Sequence, residues 1–210
     1  MGYARRGESN VAGSPRRVAS VTDGHARFAG MVALLGICGS MRKASLNRAL
    51  LDAVKGALPA PSRMSIIEDL NLPIFNSDLE DPPAVVQLKA AIAQADGVVF
   101  GVPEYNYSIP GGLKNALDWV SRPPQHSPMR GKPVGIVGAA TGMSGTIRAQ
   151  THLRQMLVFS DSPCLAQPEV LIPRAHERFD AHGRLTDPST QTLLEKFGAA
   201  MVAFVQRYAA

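Results

Sequence analysis

Two stretches of this chain hold residues that could do chemistry. In Gly101-Val102-Pro103-Glu104-Tyr105-Asn106-Tyr107-Ser108-Ile109-Pro110-Gly111-Gly112, a carboxylate, two phenols, an amide and a hydroxyl fall on consecutive positions. They offer an aromatic face with hydrogen-bonding groups beside it. In Gly36-Ile37-Cys38-Gly39-Ser40-Met41-Arg42-Lys43-Ala44-Ser45-Leu46-Asn47, the Ser40 and Ser45 hydroxyls, the Asn47 amide and the Arg42 guanidinium gather where a helix begins. The first N–H groups of a helix have no intrahelical acceptor. Together these donors suit a phosphate monoester dianion bound without a metal. Taken alone, Ser45 reads equally as a plain N-cap, and Lys43 as a solvated cation. The stretch has neither the Gly-x-x-x-x-Gly-Lys-Ser/Thr of a triphosphatase nor the Gly-x-Gly-x-x-Gly of a dinucleotide fold.

Both stretches follow apolar strands and open helices. Residues 32–37 and 97–102 read as strands buried on both faces. Pro103 has no N–H to give a ladder, so the second of these stops there. A helix over 45–58 places Leu46, Leu50, Leu51 and Val54 on one stripe and ends at Pro59-Ala60-Pro61. A short strand over 64–68 leads into a long connection, 69–82, of a length that is often functional. Pro83 is well placed to start a helix, whose inner face is Val85, Leu88, Ile92 and Ala95. The helix over 113–120 turns Leu113, Ala116, Leu117 and Val120 inward, with Trp119 on its flank. A strand over 132–138, a helix over 146–159 marked by Ile147, Leu153 and Leu157, a strand over 169–172 and a helix over 189–207 complete the chain.

Five strand–helix units in alternation predict an α/β fold, a three-layer sandwich around a five-stranded parallel sheet. Right-handed crossovers with strand order 2-1-3-4-5 make the first and third strands neighbours. The two polar stretches then lie side by side, where the strand order reverses, and become one site.

The composition narrows the class. At 210 residues, 45% apolar and 19% charged, the chain suits one well-buried domain. Its apolar stretches fall far short of the roughly 20 residues of a membrane span, so no membrane partner is expected. Cys38 and Cys164 form no Cys-x-x-Cys pair and read as small buried thiols, which fits a cytoplasmic protein. Of the net charge of +5, residues 1–30 supply the larger part, with Arg5, Arg6, Arg16, Arg17 and Arg27 against Glu8 and Asp23. The rest is close to neutral, and no nucleic-acid partner is expected. Residues 1–30 lack apolar periodicity and read as a disordered leader, followed by a single domain over 31–210. The histidines at 25, 126, 152, 176 and 182 show no metal-ligand spacing, so no metal site is expected.

With both motifs in this order, Gly39-Ser40-Met41-Arg42-Lys43-Ala44-Ser45-Leu46-Asn47 and then Pro103-Glu104-Tyr105-Asn106-Tyr107-Ser108-Ile109-Pro110-Gly111-Gly112-Leu113-Lys114-Asn115-Ala116-Leu117-Asp118-Trp119, the chain resembles the NADPH-dependent FMN reductase family from about residue 31 onward. The resemblance implies a flavodoxin-like fold and FMN as cofactor, with NADPH or NADH as electron donor. Hydride would pass through flavin N5 to quinone, azo, chromate, ferric or similar small-molecule acceptors. It implies that Ser40, Arg42, Ser45, Leu46 and Asn47 hold the FMN phosphate. Pro103, Glu104, Tyr105 and Asn106 would border the flavin ring, and Ser108, Ala140 and Gly142 would complete the site. No catalytic side chain is implied, because the flavin performs the chemistry. Glu104 receives no acid–base role; buried, it needs a partner. Assembly as a homodimer or homotetramer is also implied. The third loop departs from the family pattern, with Ala140 where a serine is usual and Thr146 where a glycine is usual; flavin affinity or subunit packing is where these changes bear. The same residues would also serve a flavin-binding electron carrier or redox sensor without efficient NAD(P)H turnover.

Overall fold

The computed structural model describes residues 30–67 and 69–208, and over these five strands alternate with five helices. In order they are β1 (Ala33–Cys38), α1 (Leu46–Gly56), β2 (Arg63–Ile67), α2 (Pro83–Gln94), β3 (Gly97–Gly101), α3 (Gly111–Val120), β4 (Val134–Ala139), α4 (Ile147–Leu157), β5 (Val170–Ile172) and α5 (Pro188–Tyr208). The leader expected over 1–30 lies, but for Gly30, outside the described residues.

The strands form one parallel sheet in the order β2-β1-β3-β4-β5. β1 is the pivot: Gly36 pairs with Ile66 on one side and with Val99 on the other. Because side chains alternate along a strand, each strand feeds both faces. Val99 enters one core layer, and Val98 and Phe100 the other. α1 and α5 close the first layer with Leu50, Leu51, Val54, Phe197 and Met201. α2, α3 and α4 close the second with Leu88, Ile92, Leu113, Val120, Leu153 and Leu157. The result is a flavodoxin-like three-layer sandwich.

Parallel pairing sends every strand's C-terminal end to the same edge, and main-chain bonds tie those ends together in sequence. Gly39 N–H donates to the Gly101 carbonyl (2.8 Å), Val102 N–H to Val137 (2.9 Å) and Ala140 N–H to Ile172 (3.0 Å). The loops after β1, β3 and β4 are thereby fixed beside one another.

One helix face differs from the sequence reading. Trp119, expected on the flank of α3, is 1% exposed. The connection over 69–82 folds back across it: Phe75 meets the indole edge-on at 5.0 Å, and Trp119 Nε1 donates to the Pro73 carbonyl at 2.7 Å. Asn115, one turn earlier, accepts from Phe75 N–H and donates to the Leu72 and Pro73 carbonyls. The helix alone gives no sign of this cover. Ile147, one of the apolar markers of its helix, is the first residue of α4 and is 44% exposed.

Candidate functional site

α1 starts where it does because Ser45 is its N-cap. Its hydroxyl accepts from Arg48 N–H at 3.3 Å, leaving the N–H groups of Leu46 and Asn47 with no intrahelical acceptor. Cys38 Sγ lies 3.8 Å from the same hydroxyl. Burial pushes the Cys38 thiol up, outweighing the hydrogen bonds from the loop, so it remains a protonated packing group.

A cavity of about 270 Å³ opens over this helix end. Its wall takes Ser40, Arg42, Ser45, Leu46 and Asn47 from the first loop, and Pro103, Glu104 and Tyr105 from the second. The third loop contributes Ala140, Thr141, Gly142 and Ser144. Ten of the residues singled out from the sequence thus share one wall, while Asn106 and Ser108 stand outside it. Thr141 and Ser144 were not singled out; their hydroxyls lie close in sequence to Ala140, where the family's hydroxyl is missing.

Asn47 serves the frame. Its side-chain amide donates to the Ala139 carbonyl and accepts from Ala139 N–H, both at 2.9 Å. That two-way clasp staples α1 to the end of β4 and leaves only the Asn47 main-chain N–H for a ligand.

The second loop is shaped by a tight turn. Tyr105 and Ser108 exchange main-chain hydrogen bonds at 2.9 and 3.0 Å, and the two residues between them have positive φ, 50° at Asn106 and 64° at Tyr107. This is a two-residue turn of the mirror-image, type I′ class. Asparagine tolerates that region; tyrosine does so at a cost and needs support. α4 supplies the support. Arg148 carries its guanidinium 4.2 Å from the centre of the Tyr107 ring, and His152 Nδ1 lies 3.0 Å from Ser108 Oγ.

Glu104 has the partner its burial requires. Its carboxylate accepts from Arg148 Nη1 at 2.6 Å and from Arg148 N–H at 3.1 Å. The N-cap residue of α4, Thr146, provides no side-chain cap. Glu104 therefore caps that helix from another loop, its charge set against the positive end of the helix dipole. Burial pushes this carboxyl up, but the Arg148 guanidinium and the first-turn N–H groups outweigh it and hold it below the ordinary carboxylate value. Glu104 stays ionised and engaged, a poor proton donor. Arg148, which joins Glu104 and Tyr107, belongs to no local motif in the sequence.

Thr146, at φ 72°, occupies a left-handed position that favours glycine. It is fully buried and packs under the third loop: a Cβ on Gly138 would stand 1.7 Å from its hydroxyl, and Gln150 Nε2 donates to that hydroxyl at 3.2 Å. Its departure from the family pattern bears on this packing, outside the cavity wall.

A cavity floored by a helix N-terminus, two serine hydroxyls and one guanidinium fits a phosphate-bearing ligand such as FMN. Among the described residues no group of three or more His, Cys, Asp or Glu could hold a metal, and no helix is long and apolar enough to cross a membrane.

Comparison with known proteins agrees with this geometry. The model of the NADPH-dependent FMN reductase family matches residues 32–177. An NAD(P)H-dependent FMN reductase of Pseudomonas aeruginosa is 44% identical over 179 residues, covering 84% of this chain and 96% of that protein. A quinone reductase of Escherichia coli is 38% identical over 177 residues, covering 81% and 94%. Among solved structures, the flavoenzyme NAD(P)H:(acceptor) oxidoreductase FerB of Paracoccus denitrificans superposes with a TM-score of 0.78 at 32% identity, covering 84% of this chain and 98% of that one. The strand order, the open N-terminus of α1 and these relatives lead to one conclusion: the chain belongs to the NADPH-dependent FMN reductase family.

Proposed function

We propose that the protein is an FMN-dependent oxidoreductase that takes electrons from NAD(P)H and passes them to a small acceptor of the quinone type. The observation that carries this reading is the shared wall of the first cavity, where an anion seat and an aromatic loop meet. When bound, FMN supplies the redox chemistry, taking a hydride and releasing electrons. The protein binds, orients and shields. Ser40, Arg42, Ser45 and the N–H groups of Leu46 and Asn47 hold the phosphate. Pro103, Glu104 and Tyr105 border the ring, with Ala140 and Gly142 opposite. Glu104 and Arg148 keep the second loop in the shape the ring requires, before the ligand arrives.

Two features support the assembly and the location. Val158 and Phe159, 76% and 61% exposed, flank an apolar cavity lined by Leu117, Met129 and Met156 at the end of α4. An exposed apolar patch of this kind marks a contact surface, and we assign it to pairing with a second copy in a homodimer or homotetramer; light scattering of the purified protein measures the mass. Both cysteines are free thiols, in keeping with the cytoplasm.

The reading is tested by mixing the FMN-loaded protein with NADPH under anaerobic conditions and then adding a benzoquinone. Loss of the flavin colour on the first addition and its return on the second are expected. Colour that persists with both NADPH and NADH would instead assign the protein to electron carriage or sensing.

A further inference from the structure

The charge of residues 31–210, close to neutral as a sum, is divided by the fold. In a parallel sheet with crossover helices, every strand starts and every helix ends at one edge. Here that edge lies opposite the cavity at the α1 N-terminus. Lys55, Arg154 and Arg207 stand in the last turns of α1, α4 and α5. Arg63 is the first residue of β2, and Arg130 and Lys132 lie just before β4. The carboxylates at this end are Asp96, Asp161 and Glu169. Asp96 accepts from Ala33 N–H at 2.9 Å.

The side chains of Lys55, Arg63, Arg130 and Arg154 have no hydrogen-bond or ion-pair partner among the described residues. At the other end, outside the first loop, carboxylates answer the arginines: Glu104 binds Arg148, Glu177 binds Arg174, Asp187 binds Arg178 and Asp180 binds Arg184. Lys55, Arg154 and Arg207 offset the negative ends of their helix dipoles. Arg63, Arg130 and Lys132 precede strands, which have no such dipole to offset. The chain also enters here: the Gln206 amide donates to the Gly30 carbonyl at 3.2 Å. Residues 1–29, with Arg5, Arg6, Arg16, Arg17 and Arg27 against Glu8 and Asp23, therefore join the domain at its basic end.

We propose that this basic end is a docking surface for an anionic lipid bilayer, with the first cavity turned away from the membrane. Cations spread over several elements can meet a plane of headgroups together, each strengthening binding about five-fold. Tyr208, 55% exposed beside Arg130 and Lys132, is an aromatic of the kind that rests at headgroup level. A nucleic acid fits less well. Groove readers and phosphate clamps use the side or the N-terminal turn of a helix, and the described helices reach this end only by their C-termini. The contact is with the membrane surface and involves no span, so the expectation of no membrane partner narrows to the absence of a span. The inference stands on the fold and makes no use of the flavin reading.

The test is sedimentation of the full-length protein with vesicles of phosphatidylcholine alone and of phosphatidylcholine with about a third phosphatidylserine. The expected result is at least about ten-fold tighter binding to the anionic vesicles, lost at about 1 M salt, where the screening length falls to about 3 Å. Arg63→Gln with Arg130→Gln should weaken that binding on the order of ten-fold or more, with the melting temperature of wild type. Arg174→Gln with Arg184→Gln removes the same charge from the opposite end and should change binding less than about two-fold. Equal binding to the two kinds of vesicle would overturn the proposal. So would equal losses in the two double variants, because net charge alone would then be at work. Undiminished binding by the Arg63→Gln, Arg130→Gln protein would overturn it as well, since the folded end would contribute nothing. Tighter binding to duplex DNA than to anionic vesicles at the same salt would overturn it and assign the surface to nucleic acid.

Discussion

Among the described residues, the first loop leaves the side chains of Arg42 and Lys43 without partners and the α1 N-terminus open, whereas the second loop answers almost every polar group it has. Glu104 binds Arg148, Arg148 also covers Tyr107, Ser108 meets His152, and Tyr105 closes on Ser108. On the proposed function, the difference separates two tasks in one site. A seat for a charged group works by holding its charges unanswered until the ligand arrives. A border for a flat ring works by having its shape settled beforehand, and a loop with two left-handed residues keeps that shape only while a neighbouring element grips it.

The largest break removes the frame on which both loops rest. Asn47→Ala orphans the buried N–H and C=O of Ala139 and should cost about 2–4 kcal/mol of stability. It should appear as a lower urea midpoint at unchanged slope. Next, Arg42→Ala strips the seat alone. A lost charge-assisted contact of about 1.5–3 kcal/mol weakens FMN binding ten-fold or more, with the melting temperature held. An unchanged FMN dissociation constant would place Arg42 outside the seat.

Breaking the grip on the second loop should have a smaller effect, of another kind. Arg148→Met leaves the Glu104 carboxylate, 10% exposed, with main-chain donors only. Because Arg148 is itself half exposed and screened, the cost is about 1–2 kcal/mol. Amide exchange across residues 104–108 should quicken while exchange around Ser40 stays slow. Equal quickening at both loops would erase the distinction between them. Melting curves against pH sharpen the point. The folded pKa of Glu104 lies below its ordinary value of 4.5. Its contribution is therefore complete above that value and fades as pH falls through the lowered folded one. The gap between wild type and Arg148→Met should be constant at neutral pH and close in acid; a gap that widens in acid would reverse the sign. The smallest effect expected is that of Thr146→Gly. Relief of left-handed strain and loss of the Gln150 contact roughly cancel, leaving stability within about 1 kcal/mol and FMN affinity within about two-fold.

The sheet was legible because its strands are short apolar runs between helices of regular period, and parallel order leaves few topologies. The gathering of Ser40, Arg42 and Ser45 at the start of α1 was legible because they are contiguous, so local rules of capping suffice. The second loop was only half legible. A left-handed Tyr107 carries no composition signal, so the turn that puts Asn106 and Ser108 outside the cavity wall could not be read. Arg148 lies forty-four positions from Glu104 along the chain, and only the packing of α4 brings them together. Trp119 was misplaced for the same reason: the segment that buries it, around Pro73 and Phe75, is distant in sequence and irregular in form. Contiguous chemistry reads from a sequence; contacts between elements do not.

The central claim is that the first loop seats the phosphate and the second only borders the ring. Riboflavin lacks the phosphate and keeps the ring, so titrating the flavin-free protein with FMN and with riboflavin, each followed by quenching of flavin fluorescence, separates the two loops in one measurement. The account predicts that FMN binds at least about a hundred-fold tighter than riboflavin, and that Arg42→Ala removes much of the difference. Equal binding of the two flavins would contradict it, because the unanswered charges of the first loop would then contribute nothing to holding the cofactor.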